Sequence, residues 1–378
     1  MSPLLPELGA MAPAELESRL IDLGQPRYRA TQLLQQARRP ESVSFSEMAT
    51  LPRELRRRLA AEVSFISLEP VLEEAADRDL TRKLLLRCHD GSQVETVLIR
   101  HPGDAGGRPR TTVCVSSQVG CALGCVFCAT GQLGLRRNLE VAEIVDQVRV
   151  ARRRSTEAGW GPPDHVVFMG MGEPLQNYEP VVESIRLLPH WGVSARRVVV
   201  STSGLVPRID RLAQEGLPVR LALSLHAATD ALRDRLVPLN RRYPVGELLA
   251  AAQRYRMATG RRVSLEYVLI AGVNDREVDA HLLRRLAAGI QAHVNLIPMN
   301  PIPHSPLRSP DRESCRRFAA LVGPRASLRF SRGLGASAAC GQLQARMLAP
   351  PMLQLRSSEP RGTDRIPRPQ YFGPQNPE

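Results

Sequence analysis

Apolar positions along this chain follow two different periods. In the first hundred residues they recur at helical spacing: Leu16, Leu20 and Leu23 before Gly24, then Leu33 and Leu34 after Tyr28, then Leu55, Leu59 and Val63. A large side chain every three or four residues draws one apolar stripe along each of three short helices. Residues 83–88 and 93–99 read as two strands joined across His89-Asp90-Gly91, where Asp-Gly between apolar runs is a strong hairpin signal.

From Thr111 to about Phe330, short apolar runs alternate with longer amphipathic ones. Strands are expected at 111–116, 165–169, 197–201, 220–224, 264–270 and 293–297. Helices are expected at 141–153, 180–188, 206–215, 245–259, 279–288 and 312–322. Six strand-then-helix units predict an α/β fold on a parallel sheet, either open and doubly wound or closed into a partial barrel. In both cases sites gather at the carboxyl ends of the strands. The Gly- and Pro-rich stretch 101–110 marks the expected boundary, and seven prolines in 350–378 with little apolar periodicity predict a flexible tail. The expected organisation is a helical domain with a hairpin over 1–100, a catalytic domain over 101–348 and a tail over 349–378.

Composition narrows the class. At 43% hydrophobic and 24% charged residues, the 378-residue chain can bury a large core, which excludes wholesale disorder. No apolar run approaches the 18 or so residues of a membrane span, and the start lacks the basic-then-apolar pattern of a secretory signal. A cytoplasmic protein with no membrane partner is expected. The 51 basic and 38 acidic residues leave a net charge of +13. This charge favours a polyanionic partner, nucleic acid before membrane, although a passive basic surface has the same composition. Fifty of the 51 cations are arginine and one is lysine, Lys83, an imbalance we attribute to coding bias. The densest basic clusters are Arg56 to Arg58, Arg136 with Arg137, and Arg152 to Arg154, each either an RNA contact or a solvated helix face.

The seven cysteines change the picture most. Cys121, Cys125 and Cys128 lie within eight residues, directly after an expected strand. That spacing suits metal better than a disulfide framework. Three thiolates on a short loop can hold three irons of a four-iron, four-sulfur cluster and leave the fourth iron open for reaction. Zinc is the alternative, but it commonly wants four protein ligands in paired Cys-x-x-Cys units.

The Cys-x-x-x-Cys-x-aromatic-Cys spacing resembles the radical S-adenosylmethionine (SAM) superfamily, whose members bind SAM on the open iron and cleave it to a 5′-deoxyadenosyl radical. Three further words sharpen the resemblance: residues 114–121 (Cys-Val-Ser-Ser-Gln-Val-Gly-Cys), Arg137-Asn138-Leu139, and Ala338-Ala339-Cys340-Gly341-Gln342-Leu343. Together, and in this order, they resemble the RlmN/Cfr family of RNA adenine methyltransferases over residues 94–343. The fold this implies is a partial (β/α)6 radical SAM barrel with a small N-terminal helical domain.

The chemistry this implies answers a real difficulty. An amidine carbon of adenine is electrophilic, so it does not attack the methyl group of SAM, and a radical route avoids the mismatch. In the family, one SAM methylates a cysteine, a second yields the radical that abstracts hydrogen from that methyl, and the carbon radical adds to the base. The methyl-carrying cysteine maps onto Cys340, the cysteine that resolves the adduct through a disulfide maps onto Cys114, and the proton acceptor maps onto Glu95. Read alone, Cys340 is a cysteine in a Gly/Ala-rich turn, Cys114 a thiol on a strand, and Glu95 a solvent-facing carboxylate. The resemblance assigns SAM contacts to Gly172, Glu173, Ser201, Ser224, Leu225, His226 and Asn300, all at or just beyond expected strand ends; read alone, His226 is a core histidine. Cys88 and Cys315 match no motif and are expected to be structural.

The implied activity is methylation of adenosine at carbon 2 in 23S rRNA, with tRNA as a second substrate and a flavodoxin or ferredoxin as electron donor to a monomeric enzyme. Carbon-8 methylation is the close alternative. A glycyl-radical activase and a non-catalytic iron–sulfur RNA-binding module are the distant ones. One departure stands out: family members usually carry Asp-Ile-Asp before Ala-Ala-Cys, where this chain has Leu334-Gly335-Ala336-Ser337.

Overall fold

The computed structural model describes residues 5–103, 107–303, 305–330 and 332–343. The expected tail falls outside them. Three helices open the chain: α1 (Pro13–Asp22), α2 (Tyr28–Ala37) and α3 (Arg53–Glu62). Their stripes meet as read: Leu16, Leu20, Leu33, Leu55 and Leu59 share one buried cluster with Phe45 and Met48, and Val145, Leu187 and Trp191 join it from the helices behind.

Among the described residues twelve strands follow: β1 (Glu69–Ala76), β2 (Thr81–Arg87), β3 (Gln93–His101), β4 (Arg110–Cys114), β5 (Gln118–Cys121), β6 (Gly134–Asn138), β7 (His165–Phe168), β8 (Val198–Thr202), β9 (Arg220–Ser224), β10 (Val263–Leu269), β11 (His293–Pro298) and β12 (Ala326–Leu328). Ten form one sheet in the order β1-β2-β3-β4-β7-β8-β9-β10-β11-β12, and β5 pairs with β6 separately. From β4 to β12 neighbours are parallel; from β1 to β4 they are antiparallel. The expected boundary at 101–110 lies between β3 and β4, which pair with each other, so the hairpin extends the same sheet.

The helices of the parallel part are α4 (Ala129–Gln132), α5 (Val141–Glu157), α6 (Tyr178–Leu187), α7 (Val206–Gln214), α8 (Asp230–Leu236), α9 (Val245–Thr259), α10 (Glu277–Gly289) and α11 (Arg312–Val322). All six strand-helix units are present. Their strands are short apolar runs such as Val198-Val199-Val200, as strands covered on one face by helices and facing a lumen on the other should be. Helix α7 buries Val206, Ile209 and Leu212, three positions on one stripe.

One cavity touches Val97 and Ile99 of β3, Cys114 of β4, Val167 of β7, Val199 of β8, Leu221 of β9, Glu266 of β10 and Asn295 of β11. A single space can border all these strands only where the sheet curls around it, so the sheet is a partial (β/α)6 barrel. The segment after β12 crosses the open seam: Arg332 donates to the Arg100 carbonyl and the Gly333 amide to the Asp77 carboxylate. No helix among the described residues is long and apolar enough to cross a membrane.

Candidate active site

The carboxyl ends of the parallel strands and the loop that carries Cys121, Cys125 and Cys128 enclose one cavity. Cys121 ends β5, and Cys125 and Cys128 follow before α4. All three thiols line this cavity, and burial raises the proton affinity of each, that of Cys121 to about 11. Backbone groups of Thr130 and Gly131 hydrogen-bond the Cys128 sulfur. Among the described residues no three His, Cys, Asp or Glu side chains converge as the ligands of one ion do. A four-iron cube takes its cysteines on three different irons, so its ligands stand further apart than those of a single ion. Three thiols around one cavity are a donor set that fits such a cluster.

Gly172, Glu173, Ser201, Ser224, His226 and Asn300 line the same cavity. Leu225 does not: its side chain is fully buried in the main core, and its amide donates to the Glu266 carbonyl. The strand simply turns its side chain the other way.

Gly172 is held at φ +98°, and a Cβ there would stand 2.6 Å from Gln118 Cβ. Gln118 in turn accepts from the Glu173 amide (2.8 Å) and donates to Asn138 (2.8 Å), which ties the cysteine loop to the Gly172-Glu173 turn. Gly172→Ala is therefore expected to lower stability by about 1–3 kcal/mol from backbone strain alone, and by more once displacement of Gln118 loosens the tie to the cysteine loop. Gly216→Ala, also left-handed (φ +68°) but with open space around it, separates strain from crowding: its thermal midpoint should fall less than that of Gly172→Ala.

The Glu173 carboxylate is 2% exposed and accepts from the Leu175 and Ser203 amides (3.1 and 2.8 Å), although burial raises its proton affinity. Arg233, fully buried, donates to the Ser203, Ser224 and Leu225 carbonyls and to Asn240. It holds the ends of β8 and β9 together, and no sequence pattern marks it.

His226 takes φ 58° and accepts from the Val268 amide at Nδ1 (3.1 Å), which places its proton on Nε2. Its ring meets Phe127 of the cysteine loop edge-on at 4.5 Å. Burial, then the charge of Arg233, lowers its pKa to about 3. A histidine kept neutral in the fold contributes stability that is lost as pH falls from about 6.5 toward 3. Relative to His226→Asn, the protein is expected to lose about 2 kcal/mol between pH 6.5 and pH 5, read as a widening gap in denaturation midpoints.

Cys340 reaches this cavity from the segment after β12. Asn300 donates to its carbonyl (2.9 Å), the Ala129 amide to Gly341 (2.8 Å), and Gln342 to the Pro301 carbonyl (2.8 Å). Gly341 sits at φ +79° where a Cβ would stand 3.0 Å from the Phe127 carbonyl, so only glycine lets this loop lie against the cysteine loop without strain. The Cys340 thiol borders both the strand-end cavity and the barrel lumen. Enclosure pushes it up to about 11, with Glu266 adding to the effect.

Cys114 borders the lumen too and lies within electrostatic reach of Cys340. The disulfide expected between them is absent: all seven cysteines are free thiols. Cys88 and Cys315 are buried, as expected of structural thiols.

Glu95 corrects the reading of a solvent-facing carboxylate. It is 3% exposed, and Lys83, the chain's single lysine, bridges it (3.1 Å) and Glu74 (2.9 Å). Val97 pairs with Cys114 across the sheet, and Val97 and Ile99 face the lumen. By strand alternation Glu95 shares their face, one step nearer the strand ends of the barrel. Asparagine and serine hold a carboxylate that the sequence reading missed: Glu266 accepts from Asn295 (2.7 Å) and Ser264 (2.8 Å), borders both cavities, and is driven toward its protonated form by burial. Its signal was a lone charge amid the apolar residues of an interior strand.

The opposite mouth of the lumen is cationic. Arg110, His165, Arg220, Arg262 and His293 stand at or beside the starts of parallel strands, and His101, Arg329 and Arg332 join them. Among the described residues Arg110, Arg220, Arg262 and Arg329 form no ion pair. The sequence clusters behave otherwise: Arg57 pairs with Glu54, Arg58 with Glu62, Arg137 with Asp90 and Glu143, and Arg153 and Arg154 with Glu157.

Known proteins share this arrangement. The Radical SAM superfamily matches residues 115–284. A protein of Moorella thermoacetica named probable dual-specificity RNA methyltransferase RlmN is 46% identical over 345 residues, spanning 89% of this chain and 97% of its own. This chain belongs to the RlmN family. The Thermobifida fusca RlmN relative is 46% identical over 350 residues, covering 89% of this chain and 94% of that one. A radical SAM methyltransferase from Sphaerobacter thermophilus, solved as a crystal structure, superposes with a TM-score of 0.85 at 51% identity over 90% of this chain and all of its own. As an RlmN-family protein, this chain is a SAM-dependent radical RNA methyltransferase, and the family implies a 4Fe-4S cluster and SAM.

Proposed function

We propose that this enzyme methylates carbon 2 of adenosine in 23S rRNA and in tRNA by way of a methyl group carried on Cys340. The observation that carries the proposal is the place of Cys340, at the junction of the strand-end cavity and the lumen that opens on the cationic mouth. A base inserted through the lumen meets Cys340 from one side while SAM meets it from the other.

In this reading Cys121, Cys125 and Cys128 hold the cluster. Gly172, Glu173, Ser201, Ser224, His226 and Asn300 hold SAM, and Leu225 contributes only the bend that presents its neighbours. The bound cluster supplies the electron that splits SAM. Cys340 accepts a methyl group from a first SAM, losing its thiol proton, and buried Glu266 is a group disposed to take up a proton beside it. Hydrogen abstraction from that methyl lets its carbon bond to the base. Glu95, held by Lys83, would accept the proton from the base carbon; the sulfur of Cys114 then bonds to that of Cys340 as the bond between the Cys340 sulfur and the transferred carbon breaks, that carbon takes up a proton to become the methyl group, and the surplus electron of the radical adduct would return to the iron–sulfur centre that the three cysteines hold.

The cationic mouth supports RNA as the partner, since arginines without carboxylate partners are available to phosphates. The name dual-specificity RNA methyltransferase carried by the relatives fits two RNA classes. The words Gly172-Glu173-Pro174-Leu175 and Ser201-Thr202-Ser203-Gly204 favour carbon 2 over carbon 8. A flavodoxin or ferredoxin as donor, a monomeric enzyme and a cytoplasmic setting complete the proposal. The test is chromatography of nucleosides from 23S rRNA and tRNA treated with the reduced enzyme, against synthetic 2- and 8-methyladenosine. The reading predicts 2-methyladenosine in both RNAs; 8-methyladenosine or an unmodified RNA contradicts it.

A further inference from the structure

A third cavity lies between the N-terminal helices and α5, outside both spaces that Cys340 borders. Its lining includes Arg38, Arg39, Arg149, Arg152, Arg153 and Arg154, with the aromatic rings of Phe65 and Trp191 and no aspartate or glutamate. Carboxylates behind the wall neutralise part of this charge. Arg149 pairs with Asp146 (2.6 Å), Arg153 with Glu157 (2.8 Å), and Arg154 with Glu157 (2.8 Å) and Glu73 (3.4 Å). Arg38, Arg39 and Arg152 form no ion pair among the described residues. Backbone carbonyls orient two of them, His190 for Arg38 and Trp191 for Arg152, without cancelling their charge.

A second observation points to an absent acceptor. The indole Nε1 of Trp191, a residue 2% exposed, has no hydrogen-bond partner, and neither do the buried Nε atoms of Arg149 and Arg152. Each such donor destabilises the fold if nothing ever satisfies it. Burial, and then the charge of Arg38, lowers the proton affinity of Arg152, so the cavity is electrostatically incomplete. Gly192, at φ +88°, has no Cβ to strike Arg152 Nη1, which would be 2.7 Å away, so the guanidinium can lie against the chain beside Trp191. Surplus donors, and cations without carboxylate partners, call for a compact anion with several acceptor oxygens and no protons to donate.

We propose that this cavity is a phosphate-binding site. A phosphate of an RNA backbone and free inorganic phosphate share this chemistry. The RNA source rests on the reading of the enzyme as an RNA methyltransferase, and it has geometry in its favour: α5 runs toward the edge where β7 begins, the edge that also carries the cationic mouth. The site then grips the RNA backbone at a distance from the base being modified.

The test compares the full-length holoenzyme with its R39Q/R152Q variant in two measurements. The first is the slope of log Kd against log salt for a 23S rRNA fragment; the second is the thermal midpoint in inorganic phosphate against chloride of equal ionic strength. If RNA supplies the phosphate, the variant's slope falls by about 1 to 2. If free phosphate is the ligand, it raises the wild-type midpoint and not the variant's, with the RNA slopes equal. Equal slopes together with equal phosphate shifts overturn the proposal. Arg317→Gln on α11, exposed and away from all three cavities, controls for bulk charge; an equal slope change there also counts against the site. Should the double variant fail to fold, Trp191→Phe removes only the indole donor and is expected to weaken the same readout. An enzyme that binds no RNA refutes the RNA reading, and the phosphate measurement still decides the cavity.

Discussion

Cys340→Ala is expected to lose RNA methylation by at least about a thousandfold while the enzyme still cleaves SAM to 5′-deoxyadenosine. The size of the loss follows from covalent catalysis: when a nucleophile carries the transferred group, no neighbour substitutes for it unless it stands at the same point. Cys114 is the only other thiol bordering the lumen among the described residues, and it lies on β4, fixed by the sheet. Survival of SAM cleavage follows from anatomy, because the cysteine loop, the Gly172-Glu173 turn and the Ser224-His226 bend do not depend on the Cys340 side chain. The loop itself is held through backbone atoms, by Asn300 on the Cys340 carbonyl and Ala129 on the Gly341 carbonyl, so the variant should stay within about 0.5 kcal/mol of wild-type stability. A Cys340→Ala protein that still methylated RNA would remove the methyl-carrying cysteine from the account. One that activated a protein substrate would place the chain among activases.

Cys125→Ala is expected to fail earlier. It borders the same cavity as Cys121 and Cys128, so its removal takes away one of the three proposed anchors of the cluster. Iron and sulfide per chain should fall to a small fraction of wild type, and both SAM cleavage and methylation should go with them. Cys121→Ala and Cys128→Ala should behave alike. Cys88→Ala and Cys315→Ala should keep full iron content, because Cys88 packs near Glu143 and Cys315 is a buried residue of α11, and neither lines the cavity. The pair of phenotypes, SAM cleavage lost in one set and kept in Cys340→Ala, separates assembly of the radical centre from transfer of the methyl group.

The sequence made the parallel half of the fold readable because each strand and helix there carries its own signal. Val198-Val199-Val200 and the stripe Val206, Ile209, Leu212 declare themselves without reference to partners. Strand β1 does not: Glu69–Ala76 has little alternation and becomes a strand through its pairing with β2. The β5–β6 pair is similarly short and mutual. The cysteine motif was legible because spacing alone constrains what three nearby thiols can hold, whereas Cys340 stood out only through the family resemblance. Charge was the least legible feature. Arg137 reads as an RNA contact until Asp90 and Glu143 are seen to occupy it, and Glu95 reads as solvated until Lys83 is found across the hairpin. The missing Asp-Ile-Asp has a partial answer of the same kind, a carboxylate from elsewhere: Asp77, in the β1–β2 turn, accepts from Gly333 at the base of the Cys340 loop.

The claim at the centre of this account is that the methyl group passes through Cys340 and loses a hydrogen there. Mass analysis of methyladenosine formed with SAM whose methyl carries three deuterons tests it most directly. A product methyl with two deuterons and one hydrogen is the predicted result. A product that keeps all three deuterons, as direct transfer from SAM to RNA requires, contradicts it.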